Sequence, residues 1–215
     1  MPPATSRRIW PFVLILFIGQ VLFGQGVSQL LRSSKDFSHF YSTPVGFGIC
    51  LVMLPLWLVG IALYYNLVVF KIPLRELIPW KEANQTGALF ASACCGFIYA
   101  LLISTAAHLL NPKLFLFRHF SVFNLFGVVT VPLEELVFRG FLFVLLIRKY
   151  SFGRTTAILT LLNTAFHLRN LNQPLLLFLA IAGLNIGAIL LRHRHRSLGA
   201  PICFHAVYNM VIATI

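Results

Sequence analysis

The sequence predicts an all-α membrane protein, a bundle of about seven (six to eight) transmembrane helices with a polar cavity inside the membrane. Of its 215 residues, 59% are hydrophobic and only 10% are charged, whereas soluble domains carry roughly 25% charged residues. Long charge-free stretches recur along the chain. In lipid, a single segment satisfies its own backbone hydrogen bonds only as a helix, so each stretch is expected to be helical.

Seven charge-poor stretches mark the predicted spans. They cover residues 9–31, 45–70, 87–110, 121–147, 155–168, 174–191 and 198–215. The first follows a basic start and has no small-residue cleavage site, which predicts a retained helix and not a removed signal peptide. Residues 71–86 mix charged side chains with Leu, Ile and Trp80, a composition typical of an interfacial segment.

The net charge of +12 would suggest nucleic-acid binding in a soluble protein. Here the basic residues lie between apolar runs, so we expect them to meet anionic lipid headgroups and expect no nucleic-acid partner. Most of the lysines and arginines fall on the same side of the predicted bundle as the N-terminus. The positive-inside rule then predicts a cytoplasmic N-terminus, in a plasma or inner membrane.

Two of the five acidic residues stand side by side in the fourth predicted span, in the stretch VPLEELVFRGFLF. Each charge at the centre of a membrane helix costs about 2.5–3.5 kcal/mol. Glu135 and Arg139 are four residues apart and share a helix face, so we expect them to pair. Glu134 points about 100° away and has no expected partner in its own helix. It therefore requires a hydrated cavity lined by protein.

Three further polar residues lie in the later spans: His167 in the fifth, and His205 with Asn209 on one face of the seventh. At about 1.5 Å of rise per residue, Glu134, His167 and His205 lie about 21, 20 and 14 Å from the inner edge. We therefore expect these groups to meet near mid-membrane or somewhat toward its inner side.

This set of side chains suits the attack of water on an amide. Desolvation raises the pKa of a carboxyl group, which makes it a general base near neutral pH, and an imidazole helps to deprotonate the water. A second imidazole and an amide donate hydrogen bonds to the developing oxyanion. The residues that other classes of protease require are missing. The only aspartate is Asp36, in a link, whereas an aspartyl intramembrane protease needs two within the membrane. No G-x-S-x-G motif of a serine hydrolase and no H-E-x-x-H motif of a zinc protease occurs. Cys203 lies on the opposite helix face from His205.

The motifs resemble those of the CPBP family, the CAAX proteases and bacteriocin-processing enzymes, also called the Abi family, to which the Ras-converting enzyme belongs. Glu134, Glu135 and Arg139 match the first motif, E-E-x-x-x-R, and His205 with Asn209 matches the third, H-x-x-x-N. The second motif, F-x-x-x-H, is matched only in part, because Asn163 precedes His167 where phenylalanine is usual. The resemblance covers roughly residues 121–215 and implies a catalytic core there, preceded by N-terminal helices in residues 1–120.

The resemblance implies an intramembrane endopeptidase of glutamate type acting on a membrane-associated or lipidated protein or peptide. Glu134 and His167 would activate the water, and His205 and Asn209 would form the oxyanion site.

Glu135 and Arg139 would support the fold of the site. Older descriptions of the family as metalloproteases leave zinc open, since the same Glu and His set could bind it; we expect metal independence and no cofactor.

Three alternatives remain open on the residues alone. The polar groups serve only to join helices by hydrogen bonds, or the same pocket binds a partner in a non-catalytic scaffold or immunity protein. A proton-coupled transporter with Glu134 as relay is the third, and it is disfavoured because the chain shows no internal repeat. The substrate, any role of prenylation and the oligomeric state are not predicted. The remaining histidines are assigned no role: His39, His108, His119, His193 and His195.

Overall fold

Every secondary-structure element in the described part of the chain is a helix. The computed structural model describes residues 9–78, 85–110, 122–167 and 175–213. The elements are α1 (Ile9–Ser33), α2 (Lys35–Ser42), α3 (Pro44–Tyr64), π1 (Tyr65–Val69), α4 (Leu74–Leu77), α5 (Gln85–Leu110), α6 (Val122–Glu135), π2 (Leu136–Leu142), α7 (Phe143–Ile147), α8 (Phe152–Phe166), α9 (Leu175–His195) and α10 (Gly199–Ala213), where π1 and π2 are π-helical. The predicted all-α class is confirmed.

The seven predicted spans coincide with helices to within a few residues at each end. Within the described ranges, Thr86–Leu110 and Leu175–His195 are long and apolar enough to cross a membrane by length and composition. Ile9–Gly19, Leu56–Val69 and Gly199–Ile212 are shorter apolar helices. Seven crossings, and the division into residues 1–120 and 121–215, stay predictions.

The polar link after α1 is organised by two helix caps. Ser34 Oγ accepts a hydrogen bond from the Phe37 amide at 3.1 Å and begins α2. Thr43 Oγ1 accepts one from the Gly46 amide at 3.0 Å and begins α3, with Pro44 at the first helical position. Such caps satisfy backbone amides that have no partner within the helix. The turns between the first two long helices are therefore set locally.

Of the predicted interfacial segment, residues 71–78 and 85–86 are described, and Trp80 lies outside the described residues. Its described part contains the short helix α4, which buries Leu77 completely. Glu76 of α4 forms an ion pair with Arg148, at the end of α7. These contacts attach α4 to the C-terminal end of α7.

The most deeply buried elements are π2 and α7, where every residue from Val137 to Leu146 is buried. Helices α1 and α3 pack around them. The shared apolar cluster includes Ile9, Phe12, Leu16, Leu58, Ala62, Ile72, Leu77, Val137, Phe141, Leu142 and Leu145. The outer surface is also apolar, with exposed large side chains that include Leu14, Trp57, Phe90, Leu102 and Leu179. An extensive exposed apolar surface fits contact with lipid.

A second apolar cluster joins α5, α9 and α10. The Tyr99 hydroxyl donates a hydrogen bond to the Ala180 carbonyl at 2.8 Å, and the Tyr99 and Phe204 rings lie 6.1 Å apart. Gly183 and Gly187, one turn apart on α9, leave room for these two rings. Small residues at this spacing permit close helix packing in membranes. The close packing places α10, which carries His205 and Asn209, against α5 and α9.

Regular α-helical hydrogen bonding is interrupted on both sides of the Glu134–Glu135 pair. Pro132 lies inside α6 and has no amide hydrogen to donate. Directly after Glu135 the chain becomes π-helical over Leu136–Leu142, and π-helical turns often occur at functional sites. The acidic pair therefore sits between two departures from the α-helix.

We expect Gly96→Ala to destabilise the protein by about 1–3 kcal/mol, the usual cost of overpacking. A Cβ atom at this position of α5 would collide with the backbone carbonyl of Phe204, directly before His205. The measurement is thermal unfolding of the purified protein in detergent.

Gly60→Ala is the matched control, because a Cβ there meets nothing within 4 Å in the described structure. Since alanine is the better helix former by about 1 kcal/mol, this control should unfold at the same temperature or higher. Equal behaviour of the two variants would contradict the close approach of α5 and α10.

Candidate functional site

Glu135, at the end of α6, lies at the centre of a buried polar network. Its side chain is completely buried. Oε1 is 3.1 Å from Arg139 Nη1 and accepts a hydrogen bond from His205 Nδ1 at 2.8 Å. The ion pair predicted from the four-residue spacing is present. The contact with His205 was not predicted, and it joins the first motif to the third across 70 residues of sequence.

Arg139 is 1% exposed and is held by a further helix. Its Nη2 donates a hydrogen bond to Asn185 Oδ1 at 2.5 Å. The Arg139 backbone carbonyl accepts one from Arg192 Nε at 3.1 Å. Both partners belong to α9, which carries none of the three motifs. Sequence reasoning missed them, although Asn185 is the one polar side chain in the apolar run FLAIAGLNIGAILL.

Three polar atoms of this network have no hydrogen-bond partner among the described residues: Glu135 Oε2, Arg139 Nε and Arg139 Nη1. Nη1 contacts Glu135 as an ion pair, without hydrogen-bond alignment. Buried charges without full hydrogen bonding are costly. Charge neutralisation between Glu135 and Arg139 is therefore the main compensation for burying them.

Glu134 is half-buried, in contrast to its neighbour. The expectation that it has no partner in its own helix stays a prediction. Among the described residues, the Glu134 carboxylate makes no hydrogen bond, and Glu134 is the more exposed of the two acids.

His167 caps the end of α8 and is exposed. Its Nδ1 lies 2.9 Å from the backbone carbonyl of Asn163. Because a carbonyl only accepts, Nδ1 is the donor. The contact uses the backbone of Asn163, so it does not depend on the phenylalanine that the second motif usually has there. The side chain of Asn163 is itself buried.

His205 is 5% exposed and Asn209, one turn later on α10, is half-buried. Since Glu135 accepts the hydrogen bond of Nδ1, the second ring nitrogen, Nε2, is directed away from the carboxylate. Among the described residues, no hydrogen bond joins Glu134 to His167. The structure thus brings together Glu135, Arg139 and His205, and the meeting of the four predicted catalytic side chains in one hydrated cavity stays a prediction.

A zinc ion at this site would need a sufficient set of ligating side chains. Structural and catalytic zinc sites use at least three protein ligands. In the described ranges, no group of three or more His, Cys, Asp or Glu side chains could hold a metal ion. The described residues therefore do not fit a zinc centre of this kind.

We expect Glu135→Gln to destabilise the protein by about 3–5 kcal/mol, because it leaves the buried charge of Arg139 without its main counterion. Glu76→Gln is the matched control. It also breaks a Glu–Arg pair, but the side chains of that pair are 43% and 33% exposed, and such pairs contribute about 1 kcal/mol or less. Unfolding free energies in mixed micelles measure both. Equal losses would mean that another group neutralises Arg139.

Comparison with known proteins adds a family resemblance over the same region. Residues 117–211 match the family model described as "Type II CAAX prenyl endopeptidase Rce1-like". No curated protein and no solved structure matches significantly. The matched segment contains Glu134, Glu135, Arg139, His205 and Asn209, which confirms the resemblance drawn from the motifs. The chain is a membrane protein whose residues 117–211 are similar to the Rce1-like proteases.

Proposed function

We propose that the protein is an intramembrane endopeptidase of glutamate type that hydrolyses a peptide bond of a membrane-associated or lipidated protein or peptide. The main support for this proposal is the hydrogen bond between His205 Nδ1 and Glu135 Oε1. It connects the first motif with the third, and both motifs lie within residues 117–211, which match the family model. A histidine oriented by a buried carboxylate is an arrangement that hydrolases use.

In the proposed reaction, Glu134 and His167 activate the attacking water. The half-burial of Glu134 supports its role as the base, because water and substrate can reach it. His167 Nδ1 donates to the Asn163 carbonyl, so in the neutral imidazole Nε2 carries the lone pair and accepts a hydrogen bond from water.

The proton balance of the step is complete without a covalent intermediate. Glu134 takes one proton from water, whose oxygen attacks the peptide carbonyl carbon and moves the carbonyl electron pair onto oxygen. His205 and Asn209 donate hydrogen bonds to this oxyanion. When the tetrahedral species collapses, the C–N bond breaks and the leaving amine receives the proton held by Glu134.

Glu135 has two functions in this proposal. It neutralises Arg139, and it holds the Nδ1 side of His205. With Nδ1 held by Glu135, Nε2 is the ring nitrogen of His205 that is left for the oxyanion, and it donates to the oxyanion when it carries a hydrogen. This assignment extends the supporting role that the family resemblance implies for Glu135.

Substrate class and topology follow from the same resemblance. The matched model is described as a CAAX prenyl endopeptidase, so lipidated C-termini are the first substrates to test. We propose a cytoplasmic N-terminus and hydrolysis that is independent of metal. The surrounding bilayer is the one further partner that the proposal requires.

We expect Glu134→Ala and His167→Ala each to lower cleavage by about 10²–10⁴-fold, the range for losing a general acid–base group, without changing the amount of protein in the membrane. The measurement compares membrane proteomes, including new peptide termini, between cells carrying wild type and each variant. Purified protein in proteoliposomes is then given farnesylated and unmodified peptides with and without a chelator.

Glu76→Ala is the matched control, since it removes a carboxylate far from the motifs in sequence and should cleave as wild type does. Full activity of a purified Glu134→Ala, His167→Ala double variant would overturn the peptidase proposal. Retention of a cellular phenotype in both alanine variants would favour the scaffold or immunity protein. Solute flux that requires Glu134 would favour the transporter, and loss of activity with chelator would overturn metal independence.

A further inference from the structure

Helix α9 forms two hydrogen bonds with Arg139. Asn185 accepts a hydrogen bond from the guanidinium at 2.5 Å, and Arg192 donates one to the backbone carbonyl at 3.1 Å. The two α9 residues are seven positions apart, about two helical turns, and therefore lie on the same face. Both are buried, at 2% and 5% exposure. One helix thus holds the side chain and the backbone of the same arginine.

The orientation of the Asn185 amide follows from its two contacts. Nδ2 donates to the Ile181 carbonyl at 2.8 Å, which turns Oδ1 toward Arg139. A flipped amide would place an N–H group against the guanidinium, which has only donors, and would face the Ile181 carbonyl with another acceptor. Only one amide orientation is therefore compatible with the site.

Arg192 acts on the π-helical segment. The carbonyl that it binds belongs to Arg139, in the middle of π2. Its guanidinium also lies over the Phe143 ring, 5.5 Å from the centroid, a cation–π contact that restrains it further. π-helical turns are rare in proteins. The hydrogen bond from Arg192 restrains this one at the residue that pairs with Glu135.

We propose that Asn185 and Arg192 are positioning residues that set the place of His205 through Arg139 and Glu135. The chain of contacts runs from α9 to π2, to the end of α6 and on to α10. Its catalytic consequence rests on the proposed peptidase function. Neither α9 residue has a part in the bond-breaking step itself.

The test compares Asn185→Leu with Asn66→Leu. Both asparagines are almost completely buried, and both donate to the carbonyl four residues earlier, at 2.8 Å and 2.7 Å. They differ in the second atom of the amide: Asn66 Oδ1 has no hydrogen-bond partner among the described residues, whereas Asn185 Oδ1 binds Arg139. The difference between the variants isolates the contact with Arg139.

We expect kcat of Asn185→Leu to fall about ten- to a hundredfold, the effect of losing one hydrogen bond to a charged group, with KM unchanged. Asn66→Leu should retain the wild-type kcat. Asn185→Asp keeps an oxygen acceptor for Arg139 but places its second oxygen against the Ile181 carbonyl, so it should restore only part of the activity. If Asn185→Leu does not fold, Asn185→Ala provides the same comparison with a smaller change.

A second readout does not depend on activity. In protein labelled with ¹⁵N-histidine, the ring signals of His205 are assigned by their loss in His205→Gln. Asn185→Leu should shift them and Asn66→Leu should not. If both variants match wild type in kcat and in these signals, the positioning role is overturned. If the signals respond but wild type cleaves no peptide, the peptidase proposal fails and the positioning role stands.

Arg192 is tested in the same way against its exposed neighbour Arg194. Arg192→Met should lower kcat and shift the His205 signals, whereas Arg194→Met, which removes an equal charge outside the buried network, should do neither. Equal effects of the two variants would remove Arg192 from the proposal.

Discussion

The structure depends on one buried charge, the guanidinium of Arg139. An arginine that is 1% exposed cannot remain without an anion, and Glu135 supplies it from one helical turn away. Hydrogen bonds offset part of the desolvation cost of such a pair. They come from Asn185 on α9, which binds the guanidinium, and from His205 on α10, which binds Glu135. Pairing and hydrogen bonding the Arg139 guanidinium and its counterion therefore require three separate parts of the chain to meet. The same contacts hold His205 in place.

This requirement explains the tight packing around α10. Delivering His205 to a buried carboxylate requires α10 to approach its neighbours closely. Gly96 on α5 and Gly187 on α9 lie where a Cβ atom would meet the backbone or ring of Phe204. Helix association in lipid relies on such close van der Waals packing and on interhelical hydrogen bonds, since apolar burial drives it little. The small residues therefore permit the close helix packing that the buried polar network requires.

How far the sequence predicts this arrangement differs from element to element. The helices follow from charge-free stretches, and the Glu135–Arg139 pair follows from a four-residue spacing, because both signals are local. The hydrogen bond from His205 to Glu135 is not local, and no periodicity encodes it. The π-helical turn alters the spacing by only one residue over a short stretch, so it leaves no readable pattern. Arg192 belongs to a run of basic residues at the end of a predicted span. The positive-inside rule already accounts for such a run, so nothing in the sequence marks Arg192 as buried.

The two adjacent glutamates acquire different properties from one structural cause. Glu135 is completely buried beside Arg139. Its carboxylate balances the charge of Arg139 and accepts the hydrogen bond from His205 Nδ1. Glu134, one residue earlier, is half-buried and makes no hydrogen bond among the described residues. Of the adjacent pair, Glu135 serves as the counterion and Glu134 makes no hydrogen bond among the described residues, whereas a single glutamate at this place would be taken up by Arg139.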